Sequence, residues 1–131
     1  MKEQVKQWLL FAEEDLRVAR VILKESIYNQ VCFHTQQAAE KSLKALIEEK
    51  EKVPKEHRLA KLFRICKELG YEIIEFQEKL EFLDKFYTST RYPFIIGMLP
   101  SGSPSENDAL TALKFAEEIF RLANSTLKKE K

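Results

Sequence analysis

The chain has 131 residues, of which 44% are hydrophobic and 33% charged. That is enough apolar material for a single domain spanning residues 1–131, with no metal or disulfide staple needed to hold its core. A formal net charge of +1 argues against a salt-driven nucleic-acid binder, which shows a clear basic excess. Met1-Lys2-Glu3-Gln4 opens no apolar leader, and no uninterrupted apolar run approaches the roughly 18 residues of a membrane span. A soluble, cytoplasmic protein with no membrane contact is therefore expected.

Three glycines and four prolines punctuate the chain, none before Pro54, and that rarity favours long helices over a many-turned sheet. A first helix is predicted over about Glu3 to Lys24, because Val5, Trp8, Ala12, Leu16, Ala19 and Leu23 recur at spacings of three and four. A break at Ser26 to Asn29 precedes a second helix, about Gln30 to Lys50, with Cys32, Ala39, Leu43 and Leu46 on its core side. After a polar connection ending at Pro54, a shorter third helix carries Leu59, Leu62, Phe63, Cys66 and Leu69, with Gly70 as its stop. A fourth helix is predicted from about Ile73 to Ser89, and the pattern then lapses into a loop from Arg91 to Gly102. Ser103-Pro104-Ser105-Glu106 reads as a capping box with proline at the first helical position. The last helix continues through Leu113, Ala116, Phe120, Ala123 and Leu127. The sum is an all-α, antiparallel up-and-down four-helix bundle with one additional short helix.

The usual catalytic and metal-binding patterns are missing from this reading. The three glycines are isolated, so there is no phosphate loop. His34, His57, Cys32 and Cys66 lack ligand-pair spacing, so no metal site and no cofactor are expected. Both cysteines fall on apolar helical faces and read as buried free thiols.

Two stretches stand out. On the second helix His34, Ala38, Lys41 and Ala45 follow one another at spacings of four, three and four, roughly opposite the core stripe, and so line one strip. Small residues there let a backbone or ligand come close, with His34 and Lys41 flanking the gap. Helix propensity for the alanines and solubility for Lys41 explain the same pattern, as does a dimer contact. At the end of the fourth helix, Tyr87-Thr88-Ser89-Thr90-Arg91-Tyr92-Pro93 sets Arg91 between tyrosines. Arg91 there either pairs with phosphate or carboxylate or caps the last carbonyls. Asp15, beside the Trp8–Ala12–Ala19 seam, is either a buried partner for Arg91 or Lys41 or an exposed edge residue.

Taken together, Ala12-Glu13-Glu14-Asp15-Leu16 with Ala19, the run from Phe33 to Ala45, His57-Arg58-Leu59 with Leu62, and Tyr87 followed by Thr90-Arg91-Tyr92-Pro93 resemble the HEPN family over essentially the whole chain. The resemblance implies a helical bundle, usually a homodimer. It also implies either partnership with a small nucleotidyltransferase, often as its substrate-binding subunit, or direct nucleotide binding. Ribonuclease relatives carry an Arg followed a few residues later by a His. Here Arg91 has no such His, since Ile96, Gly97 and Met98 occupy the region. RNA cleavage needs a general base and acid, so no catalytic residues are assigned and nucleic acid is not the expected partner.

The expected function is a non-catalytic HEPN protein that binds a nucleotide or nucleotide-like anion. Lys41 and Arg91 would contact phosphates, His34 and Gln37 the sugar or base, Tyr92 would stack, and Asp15 would hold its cationic neighbours. The alternative is an antitoxin-like or scaffold protein with no ligand of its own. A ribonuclease with a non-standard site comes third.

Overall fold

A computed structural model describes residues 1–89 and 103–129. Its described elements are α1 (Glu3–Leu23), α2 (Tyr28–Lys50), α3 (Leu59–Glu68), a short 3-10 turn (Ile74–Phe76), α4 (Gln77–Asp84), α5 (Phe86–Ser89) and α6 (Glu106–Lys129). No strand occurs among these residues. The three long helices α1, α2 and α6, with α4 and α5 in the fourth position and α3 as the additional short helix, make the antiparallel bundle that the periodicity requires.

α2 is the axis of the molecule. Val31, Cys32, Ala38, Ala39, Leu43, Ala45, Leu46 and Ile47 are all buried, because α1, α3 and α6 all pack on it. A fully buried Leu such as Leu43 or Leu46 contributes about 1.5–3 kcal/mol. α1 returns antiparallel to α2: Lys2 Nζ donates to the carbonyls of Glu48 and Glu49, which ties the start of one helix to the end of the other. Ser26, at φ 63°, turns the chain between them.

Three sequence expectations need correction. The predicted fourth helix is two pieces that part at Lys85, preceded by the 3-10 turn. The last helix starts two residues later than the pattern suggests. Ser105 Oγ accepts the Asp108 N–H at 3.0 Å and Asp108 Oδ2 accepts the Ser105 N–H at 3.0 Å. The capping box is therefore Ser105 with Asp108, and Pro104 precedes the helix rather than opening it. Thirdly, Ala38 and Ala45 have no exposed surface. The alanines of the strip are covered by the fold itself, while its His34 and Lys41 keep about a quarter of their side chains exposed.

Gly70 stops α3, as the sequence predicts. Its φ of +96° lies in the left-handed region that glycine enters without a Cβ penalty. The α3 N-terminus is capped from a distance. Asp84, buried on α4, accepts the N–H of Leu59 at 2.9 Å and of Ala60 at 3.4 Å, while the residue preceding the helix offers no side-chain cap of its own.

Candidate functional site: two carboxylate–histidine sets on α2

Polar residues on α2 gather on the side where α1 and the 51–58 connection meet it, and two carboxylates organise them. The first is Asp15, which α1 presents from a position 8% exposed. Its Oδ1 lies 2.9 Å from His34 Nδ1 and its Oδ2 accepts from Lys41 Nζ at 2.6 Å. A carboxylate oxygen only accepts, so Nδ1 carries the ring hydrogen and Nε2 is the nitrogen left for a ligand or for solvent. His34 and Lys41 are seven residues apart, two helical turns, and so share one face. Both side chains keep 24% of their surface exposed. One buried anion thus holds two donors at the surface in fixed orientations, and the His34 and Phe33 rings meet at a near right angle.

The second carboxylate is Glu40, 4% exposed. Its Oε2 takes Lys44 Nζ at 3.0 Å and His57 Nδ1 at 3.1 Å. Lys44, itself 5% exposed, also lies 5.4 Å from the centroid of the Trp8 ring, and Trp8 Nε1 donates to Glu48 at 3.0 Å. His57 is fixed on both sides of its backbone. Its carbonyl accepts from Gln36 and its N–H donates to Glu56. Glu56 is held below the ordinary carboxylate range, first by the Arg58 N–H and then by that of His57. The His57 ring stacks at 6.1 Å on Tyr87, and Arg58 lies over the same tyrosine.

Of the residues singled out from sequence, the fold brings Asp15, His34 and Lys41 together. Gln37 turns to the other set, donating to Gln36 Oε1 at 2.8 Å and to Glu40 Oε1 at 3.5 Å. Arg91 and Tyr92 lie outside the described residues. The pairing of Asp15 with Lys41 is one of the alternatives the sequence leaves open; its sharing with His34 is not legible there. Sequence reasoning also misses the Glu40–Lys44–His57 set. Glu40 and Lys44 at the i, i+4 spacing are a usable signal, but His57, in a connection, has no periodicity to betray it. Cys32 and Cys66 are free and buried, as expected. Burial pushes both thiols up to about 12, which removes them as nucleophiles at neutral pH.

Comparison with known proteins bears on the family and the fold. The HEPN domain family matches residues 5–126. A protein of Methanocaldococcus jannaschii named "Putative toxin MJ1304" is 31% identical over 129 residues, covering 91% of this chain and 85% of that one. The crystal structure of TT1696 from Thermus thermophilus superposes with a TM-score of 0.82 at 28% identity, covering 95% of this chain and 98% of the other. That of ST0689, an archaeal HEPN homologue, gives 0.72 at 31% identity, covering 96% and 98%. A family match over almost the whole length, on a bundle whose signature helix is its central element, makes this chain a member of the HEPN domain family.

Proposed function

We propose that this HEPN protein binds a nucleotide or nucleotide-like anion and acts, as a homodimer, as the substrate-binding partner of a small nucleotidyltransferase in a toxin–antitoxin-type pair. The observation that carries this reading is the Asp15 clamp, with His34 and Lys41 side by side and each a quarter open to solvent. In this scheme Lys41 contacts a phosphate oxygen and His34 Nε2 a sugar or base group. Gln37, whose amide nitrogen is committed within α2, offers its Oε1. Arg91 and Tyr92 enter from sequence as the second phosphate contact and the stacking ring. Asp15 positions rather than binds. The toxin name of the 31% identical relative supports the two-protein setting. The outward side of α1, where Phe11, Val18 and Val21 stand exposed, supports a face for association.

Calorimetric titration with a panel of nucleotides, repeated on Lys41→Ala and His34→Ala, tests the reading. Saturable heat weakened by both substitutions is expected, with a thermal shift, since ligand at about 100 times its dissociation constant adds roughly 2.7 kcal/mol of stability. Absence of heat and shift in a folded wild-type protein sinks it and leaves a protein that only docks on a partner.

A second reading is favoured by one specific observation. A histidine held at Nδ1 by a buried carboxylate, with Nε2 outward, is the arrangement of a general base. His34 would take the proton of an RNA 2′-hydroxyl as that oxygen attacks phosphorus and the P–O5′ bond breaks, the leaving 5′-oxygen taking its proton from water, with Lys41 beside the developing charge. Cleavage of a labelled RNA that His34→Ala abolishes would establish it; background cleavage equal in both proteins would remove it.

A further inference from the structure

About two turns, or roughly 10 Å, along α1 from Asp15, a cavity of about 520 Å³ opens between Trp8, the end of α2 and the connection to α3. Its walls carry Lys44, Lys52 and Lys55 against the lone carboxylate of Glu48, with Trp8 and His57 as rings. Glu48 is taken up by the Trp8 N–H. Lys44 is taken up by Glu40, so its charge is already compensated. Lys52 and Lys55 stand at the lip, and neither has an ion-pair partner among the described residues. His57 is held at Nδ1 by Glu40 and lines the same cavity, so its other nitrogen is the one available to a ligand.

We propose that this groove is a second ligand site, separate from the His34–Lys41 face, for a phosphate group carried next to a flat ring, the chemistry of a nucleoside monophosphate. The volume lies in the range of pockets that take one small molecule. The ring lies against Trp8, whose indole supplies area and whose N–H is already satisfied. The phosphate sits between Lys52, Lys55 and the outward nitrogen of His57, as charge-assisted hydrogen bonds require. The positive charge of Lys52 and Lys55 draws the anion in.

Trp8 is the single tryptophan of the chain, so indole fluorescence reports this groove directly. The full-length protein is titrated with adenosine monophosphate, and separately with inorganic phosphate, following fluorescence and heat in parallel. The wild type is compared with Lys52→Ala/Lys55→Ala and with Lys41→Ala. The two lip lysines make no ion pair among the described residues, so their double variant is expected to keep the fold. Saturable quenching that the double variant weakens about tenfold or more, that Lys41→Ala leaves unchanged and that phosphate alone does not produce is the expected result. Saturable heat without a fluorescence change, lost in Lys41→Ala, would confine nucleotide to the His34–Lys41 face and overturn the second site. Quenching indifferent to both lip lysines would overturn it too, as would a signal absent for both ligands.

Discussion

The Asp15 clamp yields the sharpest expectation, because one atom pair changes while shape is kept. In Asp15→Asn the carbamoyl oxygen can still accept from one donor, but its NH2 then faces the other. Removing a partner from a fully buried ion pair costs about 3–5 kcal/mol, and from an exposed one about 0–1 kcal/mol. Here the carboxylate is 11% exposed and both donors 24%, so water can take up the lysine head once it is released. The expected loss falls between the limits, at about 2 kcal/mol, and in a domain of this size it lowers Tm by about 6 °C. Urea unfolding of wild type, Asp15→Asn, Lys41→Met and the double variant gives the coupling, expected at about 1 kcal/mol. If Asp15→Asn lies within about 0.3 kcal/mol of wild type, or the two substitutions simply add, then Asp15 does not organise His34 and Lys41 and the clamp fails as the basis of the site.

Asp84→Ala removes the cap of α3 from across the chain and leaves the Leu59 N–H buried without an acceptor. It should cost about 2 kcal/mol, and faster amide exchange confined to the first turn of α3 would locate the loss. Gly70→Ala places a Cβ at φ +96° and should cost about 1–2 kcal/mol; unchanged stability in urea would show that α3 ends by other means. Neither Cys32 nor Cys66 should react with a thiol reagent at pH 8 until the protein unfolds, and stoichiometric labelling of the native chain would contradict their burial. Both thiols are raised from 9.0 to about 12 on folding. Their contribution is therefore full below pH 9 and lost as pH climbs towards 12, at about 1.4 kcal/mol per unit and per thiol. The decline in unfolding free energy between pH 9 and 10 should accordingly be shallower in Cys32→Ala/Cys66→Ala than in wild type.

Whatever depends on local period and punctuation was legible in the sequence. Apolar residues at three-and-four spacing set α1, α2 and the last helix, Gly70 set the end of α3, and the run from Phe33 to Ala45 carried the family. It failed where a decision rests on what lies across the molecule. Ala38 and Ala45 look the same to a periodicity argument whether they face solvent, a second chain or the fold's own interior, and only the packing of the helices chooses. Ser103 and Ser105 both precede an acidic residue by three positions, and the backbone path before α6 selects Ser105 with Asp108. The sharing of Asp15 by His34 and Lys41, the capture of His57 by Glu40 across 17 residues of sequence and the Trp8 groove all depend on the angle and register at which helices meet. That register is fixed by side-chain interdigitation, which spacing along one helix does not encode.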